Sequence, residues 1–188
     1  MRYPAEHKAE VRSRILAAAA SALRARGLDG ISIPALMKKV KLTHGGFYVH
    51  FPDRDHLVAE AVAIAAEATG DKVFRDSPDL DTVIDRYISH EHVADPGGGC
   101  VVAALGTDAP RQRTPVKRAF AFAVKGMFQL LDHKFPGRTA STGKPSDDAL
   151  ALASLMVGAV MLARLVDDEL ADRLIRAARK AAHAMVAR

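Results

Sequence analysis

The 188 residues suffice for one domain or two small ones with a sizeable core, and 49% hydrophobic content with only 5% aromatic residues suits a compact, alanine-rich helical protein. The single cysteine, Cys100, excludes an intrachain disulfide framework, and the N-terminal stretch lacks the apolar segment of a secretory signal, so the expected compartment is a reducing cytoplasm. Charge is uneven: residues 1–56 hold ten Lys/Arg against five acids, an excess equal to the +5 of the whole chain, so the N-terminal third is the part expected to meet a polyanion.

Val11, Ile15, Ala18, Ala19, Ala22 and Leu23 recur at the spacing of one helix face, and Gly27 ends that helix. Ser32 is placed to cap a second, short helix reaching Val40, with Pro34 tolerated in its first turn. Thr43 caps a third helix, whose first turn carries two adjacent glycines, Gly45 and Gly46, each costing about 1 kcal/mol relative to alanine. Pro52-Asp53 opens a fourth helix with Leu57, Ala61, Ile64, Ala65 and Ala68 on one face, ending at Gly70 or running on to Phe74.

Ser77-Pro78 reads as the next cap, followed by Leu80, Val83, Ile84, Tyr87 and Ile88 at helical spacing. The DPGGGC run at 95–100 breaks the pattern, and a short apolar stretch, VVAALG, follows. Thr114-Pro115 repeats the start signal before Phe120, Val124, Met127, Phe128, Leu131 and Phe135. Residues 136–146 read as a turn-rich, mobile loop, after which Ser146 caps a long apolar helix. Its apolar run, 149–163, falls short of the roughly 20 residues needed to span a bilayer, so no membrane partner is expected. A last helix sets Leu170, Leu174, Ala177, Ala178, Ala181 and Met185 on one side. With no alternating strand pattern anywhere, the expected fold is all-α, with about nine helices.

Catalytic and metal chemistry find little support. His90 and His92 stand at i and i+2, which point to different sides of a helix, and neither HExxH nor CxxC occurs. DPGGGC lacks the spacing and the Lys-Ser/Thr of a phosphate loop, and no GxSxG is present. No metal, cofactor or catalytic residue is expected. The helix order points elsewhere: a longer first helix, a short second one, a tight turn and a helix from Thr43 make a helix-turn-helix, with Lys38, Lys39 and Lys41 where flanking phosphates would lie.

RILAAAASALRARGLDGISIPALMKKVKLTHGGFYVHFPDRDHLVAEAV, residues 14–62, resembles the N-terminal domain of the tetracycline-repressor (TetR) family of transcriptional regulators. The match is carried by RIL…A in the first helix, the RG stop, Ile33, Leu36 and Val40, the GxFYxHF core and the PxR that opens helix four. A weaker similarity extends through GCVVAALG and LMVGAVMLARLVDDELADRLIRAAR to the family's effector-domain stretches. The resemblance implies a DNA-binding domain over 1–56 and a helical ligand-binding and dimerisation domain over 57–188. It also implies a homodimer that represses at a near-palindromic double-stranded operator until a small molecule releases it.

Carried over residue by residue, the resemblance assigns DNA contact to His44, Gly45, Gly46, Tyr48, Val49, His50 and Arg54, with Phe47 and Phe51 packing the core; Lys38 and Lys41, by charge and place, and the cap Thr43 join them as expected DNA contacts. Under the same reading, a pocket lined by Tyr87, Cys100, Phe120, Val124, Met127, Phe128 and Met156 suits a hydrophobic or aromatic effector, since Met and aromatic side chains adapt to apolar shapes. Leu155, Ala159, Leu162, Leu165, Leu174 and Ala178 are the expected dimer surface. Two alternatives stand beside this reading. One is an electrophile- or redox-responsive regulator acting through Cys100, which follows three glycines at a helix start; the other is an enzyme using the C-terminal pocket.

Overall fold

The structure, a computed structural model, describes residues 5–30, 32–135 and 144–187. All regular secondary structure among those residues is helical, with no strand and no helix long and apolar enough to cross a membrane. Most of the loop expected at 136–146 lies outside the described residues.

Helix α1, Ala5–Arg26, buries Val11, Ile15, Ala19 and Leu23 and stops at Gly27, whose φ of 84° only glycine adopts freely. Helix α2, Ile33–Lys39, starts as the sequence predicts: the Ser32 hydroxyl oxygen accepts from the Ala35 amide at 3.3 Å, with a proline in the first turn. Its far end closes through paired bonds, Leu42 N–H to the Met37 carbonyl at 2.9 Å and Lys41 N–H to the Lys38 carbonyl at 3.0 Å. That closure puts Lys41 at φ 61°, the left-handed position usually given to glycine.

Helix α3 spans Arg54–Thr69, with Asp53 accepting from the His56 amide at 2.9 Å. It buries Leu57, Val58, Ala61, Val62 and Ala65, whereas Ile64 and Ala68, expected on that face, are exposed. The helix does not end at Gly70 but widens into a π-helical turn, Gly70–Arg75. Helix α4, Leu80–Tyr87, is capped by Asp79 and not by Ser77. Ser77 is buried instead, its hydroxyl donating to the Val73 carbonyl at 2.6 Å and accepting from Arg86 at 3.1 Å, which fastens the π turn. Ser89 caps a short helix missing from the sequence reading, α5, His90–Ala94.

Helix α6, Val101–Leu105, follows the glycine run, and helix α7, Thr114–Asp132, packs along α3. Helix α8, Asp147–Ala163, starts on the Ser146 cap, and α9, Asp168–Val186, packs on it. The buried stripe of α9 is Ala171, Ile175, Ala178 and Ala182, so only Ala178 of the expected face is fully buried. The helix carries apolar side chains on two adjacent faces, and spacing alone does not tell which one faces the chain's own core.

Two apolar cores result. The first joins α1, α2, Phe47, Phe51 and the front of α3 to Val101, Leu105, Val116 and Phe120; the second joins α4, the back of α7, α8 and α9. The expected boundary after residue 56 therefore falls inside α3, which packs into the first core, while the π turn that continues it gives Phe74 to the second.

The α4–α9 contact includes a pH-sensitive clamp. His183 on α9 lies between Asp81, at 2.6 Å from Nδ1, and Asp85, at 3.1 Å from Nε2. Partial burial opposes protonation, but the hydrogen bonds to the two carboxylates outweigh it, and the imidazole's pKa is raised above 6.5. The charged ring then stabilises the fold fully below the unfolded value, and this contribution disappears as pH rises through the folded value. Melting temperature should fall as pH is raised from about 6.5 into the alkaline range, and His183→Gln should remove that part of the dependence; an identical slope in the variant would show that the clamp contributes nothing.

Candidate nucleic-acid interface

After the Lys41 turn, residues His44–Val49 form a 3-10 helix and not the α-helix expected from Thr43. Thr43 does cap it, its hydroxyl oxygen accepting from the Gly46 amide at 3.3 Å. Two glycines in succession lower the α-helical preference, and the segment is short enough for the tighter winding. Phe47 is wholly buried and stacks on Phe51 with ring centroids 5.5 Å apart, so one side of the segment is anchored.

The other side is exposed. Tyr48 is 58% and Val49 60% exposed, unusual for such large apolar groups, and Thr43, His44 and Gly45 are also open to solvent. Tyr48 stands edge-on to Phe47, with centroids 5.1 Å apart, and near the His44 ring at 5.9 Å. Lys38, Lys39 and Lys41 project beside them, and no acidic residue occurs between Asp29 and Asp53. A Cβ built on Gly45 meets nothing within 4 Å, and one on Gly46 makes only ordinary contacts, with Thr43 Oγ1 at 3.5 Å and Met37 Cε at 3.8 Å. Neither glycine has a positive φ. Nothing inside the chain requires glycine at either position.

Two expected contact residues are placed differently from the rest. Arg54 donates to the Leu28 carbonyl and lies 3.5 Å from Asp29, so its guanidinium is engaged in closing the α1–α2 turn. His50 is half-buried with Nδ1 unpartnered; desolvation first, then the nearby charges of Lys8 and Arg12, lower its pKa. Lys8 is thereby drawn to the edge of this surface. The sequence reading counted it in the basic excess but had no means of placing it, because only the packing of α1 brings it near His50.

The expected effector-pocket residues are divided among separate places. Cys100 and Met127 border a cavity of about 310 Å³ between α3, the π turn, α6 and α7, whose other walls include Ala66, Gly70, Val102 and Gly126. Phe120, Val124 and Phe128 line an apolar groove of about 680 Å³ facing α8. Tyr87 and Met156 border neither, being wholly buried in the second core. The expected dimer residues divide as well. Leu162 is exposed and Leu165 is 74% exposed, while Leu155 and Leu174 are half-buried. Ala159 and Ala178 face the chain's own core, where small side chains let α8 and α9 approach each other.

An exposed, basic, acid-free element presented by a preceding short helix and a tight turn defines a helix-turn-helix DNA-binding protein. Residues 15–61 match the family model for bacterial regulatory proteins of the tetR family. The chain is 28% identical over 166 residues to an uncharacterized HTH-type transcriptional regulator of Mycobacterium tuberculosis (strain ATCC 25618 / H37Rv), covering 84% of this chain and 86% of that one. It also resembles the solved structure of a TetR transcriptional regulator from Chloroflexus aurantiacus J-10-FL, with TM-score 0.77, 19% identity and 97% of each chain covered. The reduced form of NemR from E. coli is similar, with TM-score 0.75 and 17% identity over 92% of this chain and 95% of that one. The family match falls on the helix-turn-helix segment described above, and the fold of the chain is that of the solved tetR-family regulators.

Lys41 combines a strained backbone with an exposed charge. Lys41→Gly should raise stability by about 1 kcal/mol in denaturant titration, since glycine accepts the left-handed conformation. If Lys41 neutralises a phosphate, the same substitution should weaken DNA binding and lower the slope of log K against log salt by about 0.9 for each protomer bound. An unchanged salt slope would remove Lys41 from the interface.

Proposed function

We propose that this regulator is a homodimeric, cytoplasmic repressor that binds a near-palindromic operator and is released by a small hydrophobic or aromatic effector. The observation that carries the reading is the continuity of α3. Its first residue holds the α1–α2 turn through Leu28, and its last turn and the π segment wall the 310 Å³ cavity. An effector seated there displaces the helix that carries the DNA-reading element. In a dimer, a small rotation of each head changes the spacing of the two recognition segments away from about 34–36 Å, one turn of the duplex.

In this reading residues 1–56 bind DNA, with Lys38, Lys41, Thr43, His44, Tyr48, Val49 and His50 facing the duplex and Gly45 and Gly46 set against it. Residues 57–188 bind the effector and the second copy, α3 being shared. Support for the dimer comes from the α8–α9 corner, where Leu162, Leu165, Val166 and Leu170 are all exposed. A cluster of this kind favours association.

DNA selected from a randomised pool and then footprinted should show a symmetric site with steeply salt-dependent affinity; uniform protection without symmetry would contradict the reading. Leu165→Glu should shift the protein towards monomer in sedimentation and lower operator affinity at least tenfold, because a charge at a packed interface is costly to desolvate. Gly126 borders the cavity with nothing within 4 Å of a built Cβ. Gly126→Leu should therefore fill the cavity and abolish release by hydrophobic ligands while leaving operator affinity within about twofold; retained release would place the effector elsewhere.

A further inference from the structure

The apolar groove of about 680 Å³ is left open by the chain that builds it. Phe120, Val124 and Phe128 of α7 form one side and Val157 and Met161 of α8 the other. The charged residues that line it are Lys117 and Lys125, both exposed, and no acid does so. Val157 and Met161 stand four residues apart, and Leu165 follows at the same interval, its amide continuing the winding with a 3.0 Å bond to the Leu162 carbonyl. Steps of four keep to one face of a helix, so the row that walls the groove runs on into the exposed corner between α8 and α9. That corner holds Leu165, Val166 and Leu170 together with Asp167, Asp168 and Glu169, all exposed. The groove is thus apolar with positive charge, and the corner apolar with negative charge.

These charges are not spent inside the chain. Nearby groups are paired: Arg111 with Asp108 at 3.0 Å, Arg113 with Asp55 at 3.7 Å, and Asp172 with His90 at 3.4 Å. Among the described residues Lys117, Lys125, Asp168 and Glu169 have no such pair. Gly158, two turns before Leu165 on the same face of α8, points the same way. A Cβ built there meets nothing within 4 Å, so nothing in the chain requires a glycine that weakens the middle of the helix, and its absent side chain leaves room for an incoming surface. The groove is open and the corner exposed in the same chain, so neither fills the other. A second copy offers both.

We propose that the α7–α8 groove is the socket for the α8–α9 corner of a second copy. Leu165, Val166 and Leu170 of each copy enter against Val124, Phe128 and Met161 of the other, with Asp168 and Glu169 facing Lys117 and Lys125. Because socket and corner lie along one row of α8, a twofold axis crossing that row makes both contacts at once, the self-complementary arrangement that closes a dimer. Apolar burial supplies the attraction, and the opposed charges fix the register and reject misaligned pairings. The socket rests on the homodimer proposed above and adds α7 to what holds it together.

Two charge-reversed full-length proteins test it, Lys117→Glu/Lys125→Glu and Asp168→Lys/Glu169→Lys. All four side chains are exposed, so both variants should keep the wild-type helical circular dichroism. Each alone sets like charges against each other at both contacts. Its dimer dissociation constant, measured by sedimentation at low ionic strength, should rise at least about tenfold. Mixed one to one, the two proteins regain opposite charges at both contacts, and native mass spectrometry should show the heterodimer as the main species, with affinity within about twofold of wild type. The single reversals Lys125→Glu and Glu169→Lys, measured in the same way, decide the question where a double variant folds poorly. A wild-type dimer left intact by both reversals, or two dissociated variants that stay apart when mixed, overturns the socket and leaves the homodimer standing. Wild-type protein that stays monomeric at every concentration would refute the homodimer, and the socket with it.

Discussion

A six-residue helical segment containing two glycines cannot hold its own shape in water, because so few hydrogen bonds do not offset the cost of nucleation. What holds His44–Val49 in place is the burial of Phe47, followed one turn later by Phe51. Truncating such a side chain in a core costs about 3–5 kcal/mol, more than the segment's own hydrogen bonds contribute. Phe51 also lies under the Arg12 guanidinium, 4.8 Å from the ring centroid, and Arg12 is paired with Glu60 on α3. One aromatic pair thus ties the recognition segment to α1 and α3 together. With the inner face anchored, the outer face is free to expose Tyr48 and Val49, which a self-supporting helix of this size would need for its own packing.

The same logic extends along α3. An element without independent stability follows the scaffold that carries it, and α3 runs without interruption from the Leu28 carbonyl to the cavity wall. The π turn at its end is a local widening, a feature that concentrates at functional sites because it stores an alternative register. A second route to the head runs through the glycine run, where Arg24 of α1 holds the Gly97 carbonyl and Arg164, just past the end of α8, holds the carbonyls of His92 and Val93 in α5. Two sets of contacts thus join the N-terminal helices to the rest of the chain.

Much of this was legible in the sequence. The caps at Ser32, Thr43 and Ser146 were read correctly because a hydroxyl placed before an apolar run has a single obvious local partner. Ser77 was misread because it has the same chemistry but a tertiary role, bonding to Val73 and Arg86, which no local rule encodes. The face of α9 was misassigned because alanine and leucine occupy two adjacent stripes and only the docking of α8 decides between them. The 3-10 winding, the engagement of Arg54 and the proximity of Lys8 to His50 likewise depend on contacts between elements distant in sequence. The basic, acid-free surface needed no such contacts, being written contiguously. The tethers of Arg24 to the Gly97 carbonyl and of Arg164 to the carbonyls of His92 and Val93 lay beyond reach, since each joins residues about 70 positions apart.

The two glycines bear most directly on the whole account. The chain has room for a Cβ at both, neither has a left-handed backbone, and both lower local stability, so their use has to lie in something brought against the outer face. The decisive measurement takes Gly45→Ala and records unfolding free energy and DNA affinity on the same preparation. Stability should rise by about 0.5–1 kcal/mol while affinity falls, the signature of a surface shaped for a partner and not for the fold. Stability and affinity rising together, or affinity staying unchanged, would contradict it and show that no partner closes on this turn.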